Sequence, residues 1–286
     1  AMTVFGFICI IGIAASTSAT KKIEKNSVLV LKLDGSMSER DENNLMDELN
    51  GVTSLSFEST MKAIKKAKDN DKVAGIYLEV GQLGADLAQA EEIEKALLDF
   101  KKSGKWIIAY GESYSTLGYY LASAANKIYM NKEGMLDWAG LGGEKVYYKN
   151  LFAKFGVRYI TTKVGKYKSA VEQMTADNIS DADREQTQRY LNGWWDTILS
   201  TVARNRQINK DSLNAYADRV ITLEAPENTL KYKMIDGLVY NDQVKNIVKK
   251  QLGIDEDEDI NKVSVDDING DETPVMGDHI AVYYAY

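Results

Sequence analysis

The chain has almost none of the residues on which common catalytic centres are built. Its 286 residues include one cysteine, Cys9, and one histidine, His279. A disulfide or a Cys/His zinc site cannot be assembled within one chain from that inventory, and no cofactor is expected. A Ser-His-Asp triad would depend on His279, seven residues from the end of the sequence. Cys9 lies in an apolar leader, a poor setting for a cysteine nucleophile. If the chain contributes to covalent catalysis, a lysine base is the main option left. An excess of positive charge is also missing: 35 Lys and Arg against 42 Asp and Glu give a net charge of −7. That balance argues against nucleic acid as the main partner, because phosphate binding needs a basic face.

What is present suffices for a core. Hydrophobic residues make up 44% and charged residues 27%, an ordinary globular composition, and the length allows one large domain or two ordinary ones. Acidity is uneven. "DEDED" at 255–259 and "DDINGDE" at 266–272 read as a solvated linker over 255–276. At the other end, residues 1–20 carry no charge, and the apolar run is dense from Val4 to Ala15. About 20 helical residues span about 30 Å, the thickness of a hydrocarbon core, so this segment reads as a membrane anchor. A cleaved signal peptide is the competing reading, but no basic stretch precedes it.

Between these ends strands and helices alternate. "SVLVLKL" (27–33), "KVAGIYLEV" (72–80), "KWIIAY" (105–110) and "KIYM" (127–130) read as strands rich in β-branched or aromatic residues. "FESTMKAIKKAKD" places Phe57, Met61, Ile64 and Ala67 on one helical face behind Ser54 or Ser56 as cap. "DLAQAEEIEKALLDFKKSG" reads as a helix stopped by Gly104, and 115–125 as another. The order βαβα predicts an α/β fold with a mostly parallel sheet. Beyond it come a helix over 144–156, a strand "VRYITTK" (157–163) and a long helix over 181–207. Helical spacing of Trp194 and Trp195 with Leu191, Ile198 and Val202 predicts core packing of the tryptophan pair. Shorter helices are expected over 211–218, 224–234 and 242–252. The last residues, "HIAVYYAY", resemble the opening strand, so 277–286 reads as the first strand of a second repeat.

One stretch stands apart. "TTKVGKYKSAVEQMTADN" (161–178) sets Lys163, Lys166 and Lys168 within six positions, then turns small and apolar at Ala170 and Val171. Lysine clusters are usually solvated. A lysine base must instead be neutral near pH 7 against an ordinary pKa of about 10.4, a gap of roughly 4–5 kcal/mol. Desolvation and repulsion by neighbouring cations are the two available sources.

In order along the chain, "VLVLKLDGSM", "KAIKKAKDNDKVAGIYLEV", "SGKWIIAYGESYSTLGYYLASAANKIYMNKEG", "GLGGEKVYYKNLFAKFGV", "VGKYKSAVEQMT" and "ARNRQI" resemble the signal peptide peptidase A family in its long, bacterial, membrane-anchored form. The resemblance covers about 23–286. It implies a ClpP/crotonase-like ββα spiral with mostly parallel sheets and packed helices, in which 21–254 forms the N-terminal of two tandem repeats. It further implies a Ser-Lys endopeptidase degrading cleaved signal peptides, with Lys168 as general base and the nucleophilic serine in the second repeat, beyond residue 286. The implied partners are apolar peptides, the bacterial cytoplasmic membrane and further copies in a homo-oligomer, with the domain on the periplasmic side. A serine base pair built locally from Lys168 and Ser169 is awkward, since adjacent side chains diverge; Ser169 reads as a residue that orients the loop. Within this repeat the position matching the serine is Thr116, followed by Leu117 where glycine is usual, and Gly84 is what remains of a Gly-rich oxyanion loop. That local site reads as decayed. A non-catalytic membrane-anchored scaffold of the same fold is the alternative, and an acyl-CoA-binding crotonase enzyme shares the fold but not the "GKYKSAVE" motif.

Overall fold

The computed structural model describes residues 21–40 and 54–271. The proposed anchor (1–20) and the proposed first strand of a second repeat (277–286) lie outside the described residues. Among the described residues, no helix is long and apolar enough to cross a membrane.

Among the described residues, seven strands form one sheet: β1 (Ser27–Ser38), β2 (Ser54–Ser56), β3 (Val73–Gly84), β4 (Trp106–Gly111), β5 (Lys127–Met130), β6 (Gly237–Leu238) and β7 (Lys262–Val263). Their order is β2-β1-β3-β4-β5-β6, with β7 also on β1, and every pairing is parallel. The expected α/β architecture, a parallel sheet with packed helices, is therefore the one that forms.

The two-residue period of β1 sorts its side chains between two cores. Leu29, Leu31 and Leu33 join the main core, under helices α1 (Phe57–Asp69), α2 (Leu87–Lys101) and α3 (Thr116–Ala122). Val28 faces the opposite way, where Ile108, Tyr110, Val244 and Val248 close a smaller core. Parallel strands buried on both faces read as continuous apolar runs, which is why all four strand segments were plain in the sequence.

Local chemistry sets the helix ends. Ser56 Oγ accepts from the Ser59 N–H at 3.1 Å and caps α1. Asp86 and Gln89 form a reciprocal capping box at the start of α2. Gly104, at φ +83°, closes the turn after α2 in a backbone conformation that disfavours other residues.

After β5 come the short helices α4 (Lys149–Lys154) and α5 (Glu172–Thr175), then the long helix α6 (Asp181–Arg206). Beyond it lie α7 (Lys210–Asp218), α8 (Glu227–Lys231), α9 (Asn241–Leu252) and α10 (Val265–Gly270). Ile198, Leu199 and Val202 in the second half of α6 are buried, whereas much of its first half is exposed.

Three expectations need correction. The strand expected over 157–163 does not form; Val157 is 48% and Ile160 82% exposed. Its β-branched residues have no described strand to pair with, and strand propensity without a partner does not make a strand. The helix expected over 144–156 shortens to α4, which has no buried residue to hold it.

The acidic segment expected as a linker over 255–276 is also built into the domain for part of its length. β7 pairs with β1 through Val28 to Lys262 and Leu29 to Val263, and α10 buries Ile268. Ser264 and Asp267 cap α10 reciprocally, so acidity here serves a helix start rather than solvation.

Candidate functional site

The loop that carries the three lysines leaves the irregular segment 157–164, turns at Gly165 (φ +98°) and runs into α5. Its own backbone is loosely closed, with the Lys168 N–H 3.4 Å from the Gly165 carbonyl. The lysines meet different fates. Lys163 Nζ donates to Glu172 Oε1 at 3.0 Å. Lys166 Nζ stands 3.6 Å from Glu185 Oε2 and 5.0 Å from the centre of the Tyr167 ring. Lys168 is exposed and, alone of the three, has no carboxylate partner among the described residues. The cations expected to crowd Lys168 are thus each paired with a carboxylate, and this chain's described residues do not wall Lys168 off from water.

Beneath the loop are two buried carboxylates that sequence reasoning passed over. Glu172 accepts from Lys163 and from Ser180 Oγ, the latter also at 3.0 Å. The Lys163 hydrogen bond leads in holding its carboxyl below the usual range, against the opposing effect of desolvation. Asp183, 2% exposed, lies in the first turn of α6. Lys145 Nζ donates to its Oδ2 at 2.6 Å, while Ser169 Oγ and Gln186 Nε2 donate to its Oδ1 at 2.7 and 2.9 Å. Gln186 Nε2 also donates to Ser169 Oγ at 2.7 Å. Burial pushes the Asp183 carboxyl up, but the hydrogen bonds from Lys145, Gln186 and Ser169 outweigh it and hold it at about 2. Ser169, read as orienting the loop, is indeed tethered. Asp183 was hidden because its partners lie 38, 14 and 3 positions away, and only the close pair has a helical spacing that a sequence displays.

Beside this network runs a groove of about 590 Å³, whose walls include Lys145, Tyr147, Arg184, Tyr190, Leu191 and Trp194. It corrects half of the expectation for the tryptophan pair. Trp195 packs on the core, 5.0 Å from the Trp138 ring, with its Nε1–H donating to Asn214. Trp194 is 49% exposed on the groove, 5.0 Å from the Tyr190 ring. Successive residues on a helix point about 100° apart, so the adjacent pair divides between the core and the groove.

The local site around Thr116 is occupied by its own neighbours. Thr116 Oγ1 donates to the Asp137 carbonyl at 3.0 Å, and the Gln82 N–H donates to Asp34 Oδ1 at 2.9 Å. Asp34 also packs on Gly81, where an added Cβ would come within 2.4 Å of its carboxyl carbon. The hydroxyl and a backbone donor of the worn oxyanion loop are thus both spoken for. A cleft of about 400 Å³ remains at the C-terminal ends of β1, β3 and β4, lined by Asp34, Glu79, Glu112 and Ser113 among others, but neither Thr116 nor Lys168 lines it.

The profile described as Peptidase family S49 matches residues 99–255, more than half of the chain and spanning the lysine loop. The chain belongs to peptidase family S49. Two S49 relatives fit that placement. "Protease 4" of Salmonella typhi is 37% identical over 230 residues, 78% of this chain and 35% of that protein. "Protease 4" of Haemophilus influenzae is 34% identical over 243 residues, 81% of this chain and 40% of that protein. This chain thus spans well under half the length of these curated relatives. Among solved structures, a mutant of the 1510-N membrane-bound stomatin-specific protease overlays with a TM-score of 0.45 at 15% identity, over 84% of this chain and 94% of that one. That likeness is too loose to carry detail.

Proposed function

We propose that this chain is the general-base-bearing part of a Ser-Lys endopeptidase, with Lys168 as the base and the nucleophilic serine on polypeptide outside it. The observation that carries the reading is the contrast among the three lysines. Two are paired with carboxylates; the third is held out, with no carboxylate partner among the described residues, on a loop braced from below by Ser169 and Asp183. In the reaction, the serine hydroxyl attacks the scissile carbonyl as its proton passes to the neutral Lys168 Nζ. The resulting oxyanion is held by backbone N–H groups, and the proton then goes to the departing amine as the acyl-enzyme forms. Water deacylates the serine by the same proton route.

An exposed lysine cannot stay neutral without cover. The unburied apolar side chains beside the loop, Ile160 (82% exposed) and Val164 (85%), suit a docking polypeptide that would supply it. The aromatic groove suits an extended apolar peptide, and remnant signal peptides in the bacterial cytoplasmic membrane are the substrate class of this reading. Residues 1–20 would anchor the protein there, with the domain on the periplasmic side and the active site completed in a homo-oligomer.

The test is labelling of the full-length natural protein with a fluorophosphonate, which reacts with base-activated serines. Labelling of a serine outside this chain, lost in Lys168→Ala, is expected. Undiminished labelling in Lys168→Ala, or label on Thr116, would contradict the reading. The occupied site at Thr116 favours one other reading, a non-catalytic membrane-anchored scaffold, for which no serine would be labelled.

A further inference from the structure

We propose that Asp183 is the positioning residue of the lysine loop: through Ser169 it fixes the backbone that carries Lys168, and so sets where the Lys168 amine stands. The proposal rests on the reading of Lys168 as the base. The Lys168 side chain has no hydrogen-bond or carboxylate partner among the described residues, and it is long and flexible. Whatever places its amine must therefore act on the backbone beside it.

That backbone is held at Ser169 from two sides. The Ser169 carbonyl accepts from the Glu172 N–H at 2.9 Å, and its hydroxyl donates to Asp183 Oδ1 at 2.7 Å. With the Ser169 side chain drawn inward, its neighbour Lys168 is left facing out, as it is found. Asp183 is a firm reference point. It is 2% exposed, lies in the first turn of α6 and is gripped from its other oxygen by Lys145. The second half of the same helix is locked in the main core.

The same carboxylate is linked to the groove through Lys145, which donates to it and also lines the groove wall. A single buried charge therefore ties the groove wall, the helix and the lysine loop to one another. This is the arrangement by which a group that never touches substrate can hold a reacting group within tolerance.

The experiment uses the full-length natural protein and compares wild type, Ser169→Ala, Ser169→Thr, Asp183→Asn and Lys168→Ala on an apolar peptide ester. Thermal melting and hydrogen exchange of peptides spanning 163–171 are measured in parallel. Ser169→Ala keeps Asp183 and its lysine, so it cuts the tether without burying an unpaired charge. It is expected to lower kcat by about 10- to 100-fold with KM nearly unchanged, the scale of a misplaced catalytic group. Exchange in 163–171 should quicken while the melting temperature holds. Ser169→Thr, which keeps the hydroxyl, should restore most of the rate, and Asp183→Asn should fall between.

Unchanged kcat in Ser169→Ala alongside an inactive Lys168→Ala would overturn the proposal and leave the base assignment standing. So would a loss confined to the melting temperature, or one that Ser169→Thr does not relieve. Retained activity in Lys168→Ala would overturn the base assignment itself, and the proposal with it.

Discussion

At the scale of single residues, charge is placed by partner and not by proximity in sequence. Lys163, Lys166 and Lys168 are near neighbours in the chain, yet among the described residues only the first two find carboxylates. Asp183 shows the same principle in a titratable form. With its carboxyl held at about 2 in the folded protein and near 3.9 in an unfolded chain, its contribution to stability is fully present above about pH 4. It is lost as pH falls through about 2. Carbon-detected NMR titration of the Asp183 carboxyl should give a midpoint near 2, moving toward the ordinary range in Lys145→Met; an ordinary midpoint in the wild type would contradict the network. Thr116 supplies a second check. Its hydroxyl is committed to the Asp137 carbonyl, so Thr116→Ala in the full-length protein should leave kcat/KM unchanged, and a large loss would show that the local site works. Lys168 could be singled out as a candidate from the sequence because its motif is contiguous. Asp183 could not, because two of its three donors, Lys145 and Ser169, come from other stretches of chain.

At the scale of elements, what the sequence displayed well was whatever was buried. The four main strands and the long helix over 181–206 fall where apolar period and capping residues put them. The strand expected over 157–163 failed for the opposite reason: its apolar residues have nothing described to pack on, and a β-branched run is only half of what a strand needs. The 262–270 segment erred the other way. Its acidic residues suggested solvent, while Val263 and Ile268, each 1% exposed, carry it into the core against β1 and α1. Ile268→Ala should therefore cost about 2–5 kcal/mol in denaturant unfolding. A value near zero would restore the linker reading. Lys66 adds to the attachment, donating to the carbonyls of Asn269 and Asp271, both at 2.9 Å.

At the scale of the whole molecule, a well-filled parallel α/β body contrasts with a projecting region around the lysine loop. Trp138 marks the filled part: fully buried, it donates to the Leu213 carbonyl at 2.9 Å and meets the rings of Tyr119 and Trp195. In the projecting part Phe155, Ile160 and Val164 are all more than three-quarters exposed, and apolar surface of that kind marks contact sites. In the full-length protein, Ile160→Glu with Val164→Glu should reduce the assembled mass in sedimentation and lower activity together; an unchanged mass with full activity would remove this surface from the account. The proposed reaction turns on Lys168 taking the proton. The most direct measurement is kcat of full-length Lys168→Ala on an apolar peptide ester, with circular dichroism confirming the fold. Loss of a general base should lower kcat by about a hundredfold or more. A folded Lys168→Ala protein turning over at the wild-type rate would rule Lys168 out as the base.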